Sequence, residues 1–212
     1  YKTLSYDTEK DFKAVTLLAN GPQILAIHPK IPANTLKEYL DWLRKNPQES
    51  NYASGGQGTP GHLAAELLSS MSEIKFQHIP YRGGGAAVTD VIGGQVNAVW
   101  VTAIAAIPHI KAGRLKALAV TTISRSAVLP DIPAVAETFK GFEIDTWWGL
   151  VAPAGTPKDV VSKLNEAFVA ALNSPEAKTR FAALMAEPVA STPEQFGIFM
   201  KNELAKYEKV VK

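Results

Sequence analysis

The chain contains no cysteine. That removes disulfide frameworks, zinc–thiolate sites, iron–sulfur clusters and thiol nucleophiles together, and leaves the compartment undecided. It also lacks any real excess of one charge. The 22 Lys and Arg residues stand against 20 Asp and Glu, a net charge of +2, which excludes the strongly basic surface of a nucleic-acid binder. The sequence begins Tyr1-Lys2-Thr3-Leu4 with no charged-then-apolar leader, so no targeting signal is visible. Its longest uncharged stretch, the 20 residues 91–110, has the length of a membrane span. Gly93, Gly94, Gln95, Asn97, Thr102, Pro108 and His109 make it too polar and broken to cross lipid. The sequence reads as soluble.

Catalytic signatures are missing as well. The four histidines, His28, His62, His78 and His109, form no pair at helical spacing and sit in no carboxylate cluster, so no metal site is expected. There is no G-x-S-x-G elbow and no H-E-x-x-H helix. Asp90, Asp131, Glu137 and Asp145 are scattered, with no pair spaced for acid–base work. The residues name no catalyst.

What is present is an ordered alternation. Of 212 residues, 46% are apolar, enough for a buried core and for two lobes. Residues 14–19 and 23–28 are apolar runs parted by Asn20-Gly21-Pro22. Thr35 and Glu38 predict a helix start, with Leu36, Tyr39, Leu40 and Leu43 on one face and Asn46-Pro47 as the stop. A short run at 51–54 feeds a glycine loop and then a helix over about 60–71. Thr59 is its expected cap, Pro60 its first residue, and Leu63, Leu67 and Met71 its core stripe. Strands are predicted at 76–81, 96–101 and 115–120, with a short helix between Gly83-Gly84-Gly85 and Gly93-Gly94. Strands alternating with helices argue for an α/β fold with a largely parallel sheet.

Past Thr121 the pattern changes. Leu129-Pro130-Asp131-Ile132-Pro133 is a rigid connector, and 142–144 and 147–152 read as strands of another sheet. Thr156-Pro157 opens a helix carrying Val160, Leu164, Phe168 and Leu172. Thr192-Pro193-Glu194-Gln195 opens a second, carrying Phe196, Phe199, Met200 and Leu204.

The most informative segment is Ser54-Gly55-Gly56-Gln57-Gly58-Thr59-Pro60-Gly61-His62. A strand that feeds glycines into a helix start gathers backbone N–H groups at the positive end of the helix dipole, which suits a carboxylate or phosphate. Ser54 and Thr59 add hydroxyls and Gln57 an amide, none of them charged. A plain reading is a tight turn with glycines for sterics alone. Gly56, Gly58 and Gly61 also spell G-x-G-x-x-G, but the acidic residue wanted about twenty positions on is replaced by Tyr81-Arg82, which suits at best a 2′-phosphate. The Walker pattern fails, because His62-Leu63 stands where Lys and Ser or Thr belong. A second strand-to-helix loop, Pro80-Tyr81-Arg82-Gly83-Gly84-Gly85, and the strand end at Thr102 open toward the same crevice of a parallel sheet. Of Trp147 and Trp148, adjacent on a strand, one faces the core and the other is free to wall a pocket.

Read together, several segments resemble the solute-binding receptors of tripartite tricarboxylate transporters, the Bug receptors. They include Asp11-Phe12-Lys13-Ala14-Val15, His28-Pro29, Asn51-Tyr52-Ala53-Ser54-Gly55, Pro80-Tyr81-Arg82-Gly83 and Gly93-Gly94-Gln95-Val96. Further on come Pro108-His109-Ile110-Lys111-Ala112-Gly113-Arg114-Leu115, Leu129-Pro130-Asp131-Ile132-Pro133, Ala152-Pro153-Ala154-Gly155-Thr156-Pro157 and Thr192-Pro193-Glu194-Gln195-Phe196. The match is collinear over essentially the whole chain. It implies a two-lobed periplasmic binding protein fold of type II-like form that closes on a small organic acid. It also implies a periplasmic location, membrane subunits of a transporter as partners, and no reaction or cofactor. On this resemblance residues 26–120 form a complete lobe, and 1–25 with 121–212 form the other. That second lobe is incomplete, because the family's opening strand–helix units are not in the sequence.

The expected function is therefore capture of a small carboxylic acid. Ser54, Gly55, Gln57, Gly58 and Thr59 hold a carboxylate, Tyr81, Gly83, Gly84 and Thr102 line the adjoining wall, and Trp147 faces them from the other lobe. With no acid at Val101-Thr102, a plain carboxylic acid is favoured over a cationic amino acid. Two alternatives stay open. One is an NADP-dependent enzyme built on Gly56, Gly58 and Gly61; the other is a ligand-sensing receptor that reports to a membrane sensor.

Overall fold

In the computed structural model the described residues are 5–211, with side chains described for 5–208. Residues 1–4, the start of the sequence at which no leader is visible, lie outside them. In chain order the elements are β1 (Phe12–Gly21), β2 (Gln23–Ile27), α1 (Leu36–Lys45), β3 (Asn51–Ser54), α2 (Pro60–Ser72), β4 (Gln77–Pro80), α3 (Gly84–Ile92), β5 (Ala98–Thr102), α4 (Ala103–Lys111) and β6 (Lys116–Val120). After these follow β7 (Thr146–Pro153), α5 (Lys158–Asn173), α6 (Pro175–Ala183), β8 (Glu187–Pro188) and α7 (Pro193–Val211). The chain packs as two units. One is Gly21–Thr146; the other joins Tyr1–Asn20 to Trp147–Lys212.

The unit Gly21–Thr146 is built on a five-stranded sheet of order β4-β3-β5-β2-β6. β3 runs parallel to β4 and β5, and β2 runs antiparallel to β5 and β6. The expected parallel sheet thus holds for four strands, with β2 reversed among them. Every residue of β2 is buried, so its sequence carries no alternation, and periodicity cannot report direction in any case. Thr35 caps α1 as read: its hydroxyl accepts the Glu38 N–H at 3.1 Å, while the Glu38 carboxylate takes the Asn34 N–H at 2.7 Å.

Helix α2 departs from its predicted stripe. Its buried residues are Gly61, Ala64, Ala65, Leu68 and Ser72, whereas Leu63, Leu67 and Met71 are only half-buried. The small residues face the sheet because α2 lies unusually close to β5. A Cβ at Gly61 would overlap the carbonyl oxygen of Trp100. Reading the largest apolar residues as the core face fails where a helix packs by backbone approach.

Residues 142–144 form no strand, contrary to expectation. Phe142 and Ile144 are nonetheless fully buried. Phe142 stacks on Trp100 with centroids 6.3 Å apart, and the Ile144 N–H donates to the Thr121 carbonyl at 3.2 Å. Contacts of this kind, with the bridge from Val120 to Ala134, make the packed unit wider than 26–120. The uncharged stretch 91–110 is shared among α3, β5 and α4, and among the described residues no helix is long and apolar enough to cross a membrane.

The other unit has a three-stranded sheet of order β7-β1-β8. Val15, Ala152 and Val161 form one cluster of its core with Leu150 against them, and the ring of Phe196 lies directly on Gly149, leaving no room for a side chain there. Thr192 and Gln195 cap α7 reciprocally, at 2.9 and 3.2 Å, as predicted. Two expectations fail here. α5 starts at Lys158 with Pro157 in the cap position and no side-chain cap, so Thr156 does not cap it. On α5 only Leu172 of the predicted stripe is buried; Val160, Leu164 and Phe168 are 36–39% exposed, and Val161 points into the core instead. Helix α6, capped by Ser174, and the two-residue β8 carry too little pattern to have been read.

The close approach at Gly61 gives a direct test. Gly61→Ala is expected to lower stability by about 1–3 kcal/mol in chemical denaturation. Gly85→Ala, where a Cβ meets open space, should change it by less than about 0.5 kcal/mol.

Candidate ligand-binding site

The parallel strands β3 and β5 are neighbours, but their connections leave in opposite directions, from β3 to β4 on one side and from β5 past β2 to β6 on the other. Such a switch point opens a crevice at the carboxyl ends of the strands. A cavity of about 260 Å³ lies there, lined by Gln23, Gly55, Thr59, Pro60, Gly61, Gly83, Gly84, Trp100, Val101, Thr102 and Thr146. It is small for a ligand site and fits a ligand of few atoms.

Three helices begin at this cavity: α2 at Pro60, α3 at Gly84 and α4 just after Thr102. None of the three has a side-chain cap, although α1, α6 and α7 all do. Thr59, the expected cap of α2, instead donates its hydroxyl to the Gly56 carbonyl at 2.7 Å. The two glycine loops touch: the Gly83 N–H donates to the Gly55 carbonyl at 3.1 Å, and a Cβ at Gly55 would sit 3.4 Å from the Gly84 nitrogen. No protein acceptor among the described residues takes the N–H groups of Gly84 and Gly85. Unpaired helix-start amides carry partial positive charge toward one small space. None of the lining residues is ionisable.

Of the residues singled out in the sequence, Gly55, Thr59, Gly83, Gly84 and Thr102 are brought together around this cavity. Ser54, Gln57, Gly58 and Tyr81 are not part of its lining. The Ser54 hydroxyl is engaged locally, accepting the Gly56 N–H at 3.2 Å and lying 2.7 Å from His78 Nε2. The Gly58 N–H donates to His62 Nδ1 at 3.1 Å, and Tyr81 donates its hydroxyl to Asp90 at 2.7 Å, a burial and pairing that push its pKa up to about 12. These residues shape the loops. Trp147 belongs to the other unit, where its indole N–H donates to the buried Glu203 at 3.1 Å and its ring meets Phe196 and Phe199 edge-on. Sequence reasoning missed Gln23 and Thr146. Gln23 reaches the crevice only because β2 runs antiparallel, which puts its first residue opposite Thr102 at the end of β5.

Behind the loop lies a stack of rings. His62 and His78 are stacked with centroids 4.1 Å apart, and His78 in turn stacks on Tyr52 at 4.9 Å. Burial first, and the neighbouring His62 second, hold the His78 pKa down at about 4, so the imidazole is neutral when it meets Ser54.

With this geometry in view, comparison with known proteins settles the family. The family model for the tripartite tricarboxylate transporter family receptor, TctC, matches residues 1–212. The chain belongs to this family. Protein BugT of Bordetella pertussis is 31% identical over 99% of this chain and 65% of its own length. The solved structure of Rpa4515 from R. palustris with adipate superposes with a TM-score of 0.91 at 31% identity, over 99% of this chain and 71% of that one. MatC of Rhodopseudomonas palustris with bound malate does so at 0.86 and 30%, over 99% and 73%. The chain spans less than two thirds of the length of the curated relatives it matches from end to end. Its α/β fold is that of the periplasmic binding proteins of this family, and the family is one of solute-binding receptors.

The depressed pKa of His78 has a consequence for stability. An unfolded histidine gains its proton near pH 6.5, while the folded His78 resists until about pH 4. The contribution of this group is therefore whole above pH 6.5 and is lost as pH falls toward 4. Thermal denaturation across that window should show a falling melting temperature, and His78→Gln should flatten the fall.

Proposed function

We propose that this protein is a periplasmic receptor that captures a small carboxylic acid and delivers it to the membrane subunits of a tripartite tricarboxylate transporter. The observation that carries the reading is the convergence of three uncapped helix starts on one small cavity with no ionisable lining. A carboxylate supplies the acceptors that the Gly84 and Gly85 amides lack and the negative charge that the three helix dipoles favour. Gly55, Thr59, Gly83, Gly84 and Thr102 form the seat, and Ser54, Gln57, Gly58 and Tyr81 hold or flank the loops that shape it. Uncharged donors suit a carrier, because a buried guanidinium clamp binds more strongly than release permits. The adipate and malate in the two related structures are ligands of the same chemical class.

The NADP reading has less support. The amides of Gly56 and Gly58, which a dinucleotide needs, already have protein acceptors, and Gly61 is pressed against Trp100. Nicotinamide fluorescence is expected to stay unchanged on titration. A receptor for a membrane sensor would use the same cavity, and co-purification with membrane subunits distinguishes the two roles.

Native mass spectrometry of gently purified protein should reveal a bound organic acid, and added dicarboxylates should raise the melting temperature. The Thr102 hydroxyl has no protein partner among the described residues and lies at the cavity. Thr102→Val is expected to weaken acid binding by about 1 kcal/mol in calorimetry while leaving the circular dichroism spectrum unchanged. Absence of any acid-induced shift would overturn the proposal.

A further inference from the structure

Gln23 is the one long polar side chain in the cavity. It is 4% exposed, and its main chain is held at both ends of the peptide: its N–H donates to Thr121 Oγ1 at 3.0 Å and its carbonyl accepts the Thr121 N–H at 3.1 Å. Its side-chain nitrogen is bonded to the Thr146 hydroxyl. Its Oε1 has no protein partner among the described residues, yet it is not sealed from solvent as the unpaired Tyr39 Oη, His109 Nδ1 and Thr122 Oγ1 are. The oxygen of an otherwise buried side chain is therefore open to the cavity that the residue lines. A buried amide left half-paired is destabilising unless something completes it.

We infer that Gln23 is a specificity-determining residue, and that the cavity selects carboxylic acids bearing a hydroxyl and discriminates against those bearing an ammonium group. The inference rests on the carboxylate reading above and adds to it the ligand's second polar group. A hydroxyl both donates and accepts, and so does the Gln23 amide once the Thr146 hydroxyl, which can play either part, holds its other end. The pairing therefore survives either orientation of the amide. An ammonium at the same place meets the opposite conditions. It would face the positive ends of α2, α3 and α4, and it would give up its water with no carboxylate in the lining to pair with. A site built to bond a hydroxyl also discriminates against the analogue that lacks it, because its own polar group is left unpaired.

Calorimetric titration with two matched series tests this: succinate, malate and aspartate, then glutarate, 2-hydroxyglutarate and glutamate. Within each series the members differ only by hydrogen, hydroxyl or ammonium on one carbon. The hydroxy acid is expected to bind tightest in at least one series, with the amino acid at least about tenfold weaker than the plain diacid. In Gln23→Leu the hydroxy acid should lose its advantage over the diacid to within about twofold, while the diacid itself changes less than about threefold. Should that variant not fold, Thr146→Val keeps Gln23 but removes its orienting partner and is expected to erode the same advantage. An amino acid bound as tightly as its hydroxy analogue, or a hydroxy preference that survives both substitutions, overturns the inference and leaves the carboxylate reading standing. If none of the six acids binds, both fall together.

Discussion

The site depends on how closely α2 lies against β5. Contact at Gly61 is made with the Trp100 carbonyl itself, so the start of α2 stands directly over the end of β5, where α4 also begins. The Gly55 and Gly83 loops meet beside it. Three helix starts are thereby fixed on one crevice by main-chain packing, and their dipoles, with the open N–H groups of Gly84 and Gly85, become a single positive feature instead of three separate ones. A methyl group at position 61 would push α2 outward and disperse that feature without touching a ligand.

The chemistry follows from what surrounds those amides. No lining side chain carries charge, so the attraction for an anion comes from peptide dipoles, which need no counter-ion and no proton. Polar side chains then enter from Thr102 at the end of β5, Gln23 at the start of β2 and Thr146, the last residue of the same unit. Ser54, which looks in the sequence like a ligand donor, is turned back into its own loop by the neutral His78. Its role is to give the glycine turn one shape.

The parts of this arrangement visible in the sequence were those with local causes. Thr35 with Glu38 and Thr192 with Gln195 announce helix starts because a cap is completed within four residues. The glycine loops likewise announce themselves, since a tight turn from strand into helix needs the positive φ angles found at Gly56, Gly58 and Gly83, which glycine adopts freely. What depended on distant partners stayed hidden. Gln23 gives no sign of facing a cavity, because its place follows from the reversed direction of a fully buried strand. Leu63, Leu67 and Met71 outrank Ala64 and Ala65 in size, yet the sheet lies too close for them. Phe142 and Ile144 are as buried as any strand residue while belonging to none. The stripe Val160, Leu164 and Phe168 has helical spacing but faces outward, because spacing identifies a shared face and says nothing of what covers it.

A seat made of peptide groups has an evolutionary corollary. Substituting a side chain cannot delete an N–H, short of introducing proline, so the anion-holding part of the crevice is nearly immune to single mutations that keep the helices in place. Residues at the tips of the strands have no such protection, and each can be exchanged without rebuilding a turn. A lineage of such proteins can thus acquire new cargoes by changing a few letters at positions such as 23, 102 and 146, while the grip on the acid group itself is inherited unaltered.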